Sequence, residues 1–242
     1  MEGPSLVILK EEVAPFKGKI IKEAKGYAKI DFSQLEHKKV IDFKTWGKHF
    51  LICFNDFTVR VPFGLFGNYR INDRKKGVNA SVHLAFTNGE LNCYVASAKI
   101  INEDLNDVYD WRLDMLSPEW SAAYVKKMLL QQDKSKQIGD LLLDADIFSG
   151  VGNIIRNEVL YRVKIHPESK LGNIPPEKIT ALIKQTKTYS KDFLKWKKKY
   201  ELKKHWEVYE QKECPQKHPI QKKYTGKTKR RSYICKTCMK KY

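Results

Sequence analysis

The sequence contains no run of eighteen apolar residues, so no segment is expected to span a membrane. Its first residues lack a basic stretch followed by an apolar one, which argues against a secretory signal. The expected setting is the bacterial cytoplasm, associated with the nucleoid, where thiols stay reduced. Acidic residues are scarce: 28 Asp and Glu stand against 46 Lys and Arg, a formal net charge of +18. Such an excess repels itself in a compact chain unless a polyanion relieves it, so nucleic acid is the first candidate partner and an anionic membrane surface the second. Cysteine is also sparse, with five in 242 residues. That number in a reduced compartment excludes a disulfide framework and leaves metal ligands or small buried side chains. Cys53 in FLICF and Cys93 in LNCYV read as the latter. The other three crowd into the last thirty residues.

What is there divides by pattern. With 42% hydrophobic residues the chain can bury a core, as one large or two modest domains. Residues 17–102 carry short β-type stretches: KIIKEAKGYAKIDF, KKVIDFKTW, KHFLICF, FTVRVPF, SVHLAF and LNCYVA. Asn88-Gly89 between two of them predicts a hairpin, and many short strands predict a sandwich or barrel. From Ser117, expected to cap a helix with Pro118 at its first position, the pattern to about residue 210 is helical. Tyr189, Phe193, Trp196 and Tyr200 fall at helical spacing. They are read as a core-facing stripe and not as a base-stacking platform.

The stretch 211–242 is too short and basic to fold on its own apolar surface. It holds Cys214 and His218, three residues between them, and Cys235 and Cys238, two between them. Three thiolates and one imidazole make the closed tetrahedral set of a structural zinc site, so a structural Zn2+ with no catalytic part is expected. Between the pairs lie a Thr-Gly turn at 225–226 and the cations Lys222, Lys223, Lys227, Lys229, Arg230 and Arg231, a hairpin tip suited to phosphate. A second stretch, SGVGNIIRNEVLY, places Gly150 and Gly152 before a helix that opens at Asn153. A helix start exposes unpaired N–H groups and attracts a phosphate; an ordinary glycine-rich turn fits the same letters.

The opening MEGPSLVILK raises its own question. It reads either as an irregular start leading into a strand, or as a terminus whose α-amine and adjacent carboxylate are chemistry. MEGPS, WGKHFLI near 48, LFG near 65, GVGN before a helix and a finger ending RRSYICKTC occur in that order. This order resembles the formamidopyrimidine-DNA glycosylase / endonuclease VIII family, its endonuclease VIII branch more closely. The resemblance covers essentially the whole chain. It implies an α+β multidomain fold: an N-terminal β-sandwich (1–110), a helical domain with a helix–two-turn–helix motif (111–208) and a C-terminal β-hairpin zinc finger (209–242). It implies a monomeric base-excision-repair DNA glycosylase with AP-lyase activity that removes damaged, oxidised bases through a Schiff base on the N-terminal amine. The nucleotide is expected to be flipped from the stack. Carried over by position, Met1 supplies the amine and Glu2 the general acid/base. Lys48 is the essential lysine at a hairpin turn. Asn153 and Arg230 bind phosphates, and Leu65 and Phe66 form the apolar wedge between bases.

Three positions depart from the family pattern. The family's terminal proline is absent and Met1 precedes Glu2-Gly3-Pro4 directly; Ser5 stands where a second glutamate is usual, and Pro62 where a histidine commonly precedes the wedge. These departures motivate the alternative of a catalytically impaired member that binds damaged, abasic or branched DNA.

Overall fold

The computed structural model describes residues 1–242, the side chain of Leu65 excepted. The chain forms two compact units, one of Met1 with Gly3–Asp110 and one of Glu2 with Trp111–Tyr242.

The first unit begins with a helix, α1 (Gly3–Glu12), in place of the strand that the opening run suggested. Four consecutive apolar residues suit either element; spacing decides. Leu6, Leu9 and Val13 are fully buried at helical intervals while Glu11 and Glu12 face solvent. Pro4 sits in the first turn, where no N–H is needed. Seven strands follow: β1 (Glu23–Lys25), β2 (Asp42–Trp46), β3 (His49–Cys53), β4 (Thr58–Ile71), β5 (Val82–Phe86), β6 (Gly89–Ala96) and β7 (Lys99–Ile101). They run in the order β1-β5-β6-β4-β3-β2, with β7 also on β4. The fourteen-residue β4 serves two sheets. Thr58–Pro62 pairs with β3, and from Phe63 onward the strand pairs with β6. Phe43, Phe50, Ile52, Val59 and Val61 from one side of this corner share one core with Val82, Leu84, Phe86 and Leu91 from the other. That is a sandwich closed through a common strand. A short helix, α2 (Leu105–Val108), capped by Asp104, ends the unit.

The predicted β5–β6 hairpin is present, with its two loop residues at Thr87–Asn88 and Phe86 opposite Gly89. Gly89 opens β6 at φ 149°, where an added Cβ would collide with the Asn72 side chain.

The second unit holds α3 (Ala122–Leu130), α4 (Ile138–Leu141), α5 (Asn153–Arg162), α6 (Pro176–Lys198) and the hairpin β8 (Ile220–Thr225) and β9 (Arg230–Cys235). The helix expected from Ser117 starts later. Ser117 Oγ instead accepts from Glu119 N in a turn, and Ser121 caps α3 through Tyr124 N. Of the two serines, Ser121 directly precedes the stretch that buries Val125 and Leu129. The run KQIGDLLLDADIF gives only one helical turn, because Asp144 turns the chain by accepting from Asp146 N at 3.0 Å. Helix α6 stops at Lys198, so the expected stripe is broken: Tyr189 and Phe193 are buried, but Tyr200 lies past the helix end and is 95% exposed. The hairpin does not stand alone. Tyr233, Ile234 and Cys235 share one core with Leu129, Ile155, Val159 and Phe193. Among the described residues no helix is long and apolar enough to cross a membrane.

Candidate functional site

Helix α5 organises the chemistry of the second unit. Gly150 carries a left-handed φ of 97°, the conformation for which glycine is suited, and brings the chain into the helix. The helix start expected to attract a phosphate already faces an anion. Ile154 N donates to Glu2 Oε1 at 2.6 Å and Ile155 N to Glu2 Oε2 at 3.2 Å. The carboxylate thus satisfies two of the orphan N–H groups and lies at the positive end of the helix dipole. Gly152 makes room for it; a Cβ there would run into the Glu2 side chain.

The same helix turn grips the hairpin. Asn153 Nδ2 and Asn157 Nδ2 both donate to the Arg231 carbonyl, at 3.0 and 3.2 Å. Asn157 Oδ1 accepts from Tyr233 N at 2.8 Å. Side chains of α5 therefore continue the hydrogen-bonding edge of β9. Between them Arg156, fully buried, donates from Nε to Gly139 O at 2.7 Å and from Nη2 to Thr225 Oγ1 at 2.8 Å. Burial pulls its guanidinium down to about 10, against the favourable charge of Asp140. Thr225 is the register partner of Arg230, so this strut ends beside the arginine singled out from the sequence. Arg230 itself is exposed, as are Lys227 and Lys229. Lys223 is instead paired with Glu168 at 2.8 Å, and the Arg231 guanidinium donates to Tyr224 Oη at 3.0 Å.

One turn further on, Glu158 is fully buried and accepts from the N–H groups of Glu207, Val208 and Tyr209 at 2.8–3.1 Å. Burial pushes its carboxyl above the usual range, and the three N–H groups oppose that shift. It clamps the segment leading to the finger.

Cys214, His218, Cys235 and Cys238 present their ligand atoms within 4.8 Å of one another. Cys214 Sγ lies 3.8 Å from Cys235 Sγ, 3.9 Å from Cys238 Sγ and 3.7 Å from His218 Nδ1, which is 3.3 Å from Cys238 Sγ. A tetrahedron with metal–sulfur bonds of about 2.3 Å has edges of about 3.8 Å, so these residues can hold a metal ion. The Cys214 knuckle is closed by Cys214 N to His218 O at 2.9 Å, with Lys217 left-handed at φ 63°.

The first unit carries the remaining sequence candidates. Gly47 and Lys48 are the two-residue turn between β2 and β3, with Gly47 at φ 54°. Phe66 is 79% exposed on the bulge of β4 between Phe63 and Asn68. The Leu65 side chain lies outside the described residues. Met1 packs on the sandwich core, and Ser5 is buried. Pro62 pairs in register with His49. His49 is one that sequence reading missed. Burial first, then the charges of Arg60 and Lys48, lower it from 6.5 to about 4, and its Nδ1 has no hydrogen-bond partner among the described residues.

Against this geometry the comparisons are specific. The family described as Formamidopyrimidine-DNA glycosylase H2TH domain matches residues 113–200. Formamidopyrimidine-DNA glycosylase of Lactobacillus helveticus is 30% identical over 202 residues, covering 75% of this chain and 72% of that protein. The chain belongs to the formamidopyrimidine-DNA glycosylase / endonuclease VIII family. Another family relative, Endonuclease 8-like 3 of Homo sapiens, is 30% identical over 207 residues, covering 81% of this chain and 34% of that protein. The chain thus spans about a third of the length of the first curated relatives it matches. Two solved structures give the family fold: Lactococcus lactis formamidopyrimidine DNA glycosylase non-covalently bound to DNA containing an AP site (TM-score 0.87, 20% identity, 100% of both chains), and a viral DNA glycosylase (TM-score 0.85, 19% identity, 99% of this chain and 100% of the other). The triplet Arg156-Asn157-Glu158, charged and polar in mid-helix, was the signal that could have revealed the struts.

Proposed function

We propose that this chain is a base-excision DNA glycosylase with AP-lyase activity on damaged, oxidised bases, with Met1 as nucleophile and Glu2 as general acid/base. The observation that supports it most is the pinning of the Glu2 carboxylate on the α5 N-terminus, next in sequence to the reacting amine. A terminal α-amine has an ordinary pKa of about 7.7–8.0, so a useful fraction is neutral near pH 7. Its lone pair forms a bond to the sugar C1′ as the glycosidic bond breaks and the base leaves with that electron pair and a proton. The amine sheds a proton, its electron pair forms the C1′=N bond as the C1′–O4′ bond breaks, and O4′ takes a proton, which leaves a protonated imine. Loss of a C2′ proton then expels the 3′ phosphate. Lys48, Asn153 and Arg230 bind phosphates, and Phe66 with Leu65 fills the gap in the stack. Methionine is bulkier and more flexible than proline, so base excision suffers more than cleavage at a pre-formed abasic site.

Cys214, His218, Cys235 and Cys238 would hold a structural Zn2+, which contributes folding free energy to the finger and no reaction step.

The test is borohydride trapping on a strand with one abasic site, followed by mass spectrometry of the cross-linked peptide. A cross-link on the Met1 amine, lost base release in Glu2→Gln and nearly intact DNA binding are expected. DNA binding with no cross-link overturns the enzyme reading. It would assign the chain to the second one, a reader of abasic or branched DNA, which the absent proline, Ser5 and Pro62 favour.

A further inference from the structure

Helix α6 ends in a Schellman arrangement. Tyr200 N–H donates to Lys197 O at 3.0 Å and Glu201 N–H to Trp196 O at 2.9 Å. Tyr200 therefore occupies the left-handed position, at φ 58°. Glycine fits that backbone without strain, whereas a side chain crowds the adjacent carbonyl. Packing recovers nothing here, because the ring is 95% exposed, more than any other large hydrophobic side chain among the described residues. A bulky residue kept where glycine is favoured, with its ring in water, points to use rather than to folding.

The surroundings are cationic. Residues 195–204 read KWKKKYELKK, and the one acidic residue, Glu201, lies 3.5 Å from Lys204. A helix C-terminus favours cations, which accounts for the lysines of the last turn of α6 but not for the tyrosine; beyond it Lys203 lies over the Trp206 ring at 5.8 Å and Lys204 pairs with Glu201. The neighbouring apolar residues, Trp196 and Leu202, pack on the core. This surface lies at the far end of α5 from Asn153. Arg162, the last residue of α5, donates to His205 O at 3.2 Å and sits 6.0 Å from the Trp196 ring. Ten helical residues separate the two ends by about 15 Å.

The geometry points to a second binding surface, Tyr200 with the lysines around it, for a single-stranded stretch of nucleic acid. The ring stacks on an unpaired base, and the ammonium groups meet the phosphates of the flanking nucleotides. A duplex keeps its base faces covered by stacking. A lipid surface would want an apolar face beside the ring, and here that face is turned inward. The inference goes beyond the repair reading and does not depend on Met1 or Glu2.

The experiment measures affinity for an undamaged oligothymidylate of about twenty nucleotides by fluorescence anisotropy, across salt concentrations. Tyr200→Gly is expected to melt at the same or a higher temperature while binding about tenfold more weakly. Tyr200→Phe should bind within about twofold of the wild type, since the stacking face is kept. Lys199→Gln with Lys203→Gln should lower the salt slope by about 1.4, two single-strand phosphate contacts. Unchanged affinity in Tyr200→Gly overturns the proposal. So does a loss confined to phosphatidylserine vesicles, which would assign the surface to a membrane.

Discussion

The two units bury different things. The first holds an apolar sandwich in which Leu84, Val59, Val61 and their neighbours are fully covered and strand pairing satisfies the backbone. The second runs charge through its middle: Arg156, Asn157 and Glu158, consecutive on one helix, are 0%, 2% and 0% exposed. Each reaches a segment distant in sequence: Thr225 for Arg156, Tyr233 for Asn157, Val208 for Glu158. Burying such groups unpaired is costly, so every one of these contacts must be made at once. Both units bury an apolar core; the second adds to its own a row of buried polar bonds along α5.

The contrast is sharpest at the Cys/His cluster. Chelation, or Cys235→Ser, should remove a contribution on the order of 10 kcal/mol from the second unit. Circular dichroism and urea titration are expected to show the sandwich transition surviving and the helical one displaced; coincident loss of both would break the distinction. Metal analysis of the purified protein should give one zinc per chain.

Next in size is Glu158→Ala. It leaves the buried N–H of Val208 and the half-buried N–H groups of Glu207 and Tyr209 without an acceptor, for a loss of about 3–5 kcal/mol in the second unit. Glu158→Gln keeps an acceptor oxygen and should lose less. If both variants unfold at the same denaturant concentration as the wild type, the struts are not what specifies this unit.

Gly152→Ala separates chemistry from folding. The new Cβ displaces Glu2 from the α5 N-terminus, so base release on a damaged duplex should fall about a hundredfold, about 2.7 kcal/mol of barrier. The melting temperature should move by only a few degrees. A turnover equal to the wild type would show that Glu2 need not be held there.

The smallest effect probes a half-buried polar residue of the first unit, His49. The folded state keeps this ring neutral down to about 4, while the unfolded chain takes a proton near 6.5. Between those values only the unfolded state is protonated, so stability is full above pH 6.5 and declines as the pH falls toward 4. The change is about 1–3 kcal/mol, discounted for the partly exposed ring. Urea midpoints at pH 7 and 4.5 should differ for the wild type and converge for His49→Phe.

Legibility followed the same division. Alternation, turn residues and the Cys/His spacing placed most strands, the start of α5 and the four-ligand cluster, while the turn at Lys48 came only from the resemblance. Misreadings came where two solutions share one local pattern. The run Leu6–Leu9 suits a strand or a helix, Ser117 and Ser121 offer the same cap, and Tyr200 continues a helical spacing that the chain abandons at Lys198.

The sequence by itself determined the charge, the order of β, helical and hairpin segments, and the spacing of the Cys/His cluster. Those are local or compositional properties, written in spacing and side-chain chemistry. Only the tertiary structure decided what satisfies the start of α5, which groups anchor the hairpin and which aromatic ring is left in water. Each of those outcomes depends on groups 17 to 153 residues apart meeting within hydrogen-bond distance or failing to meet, and no local pattern encodes such encounters.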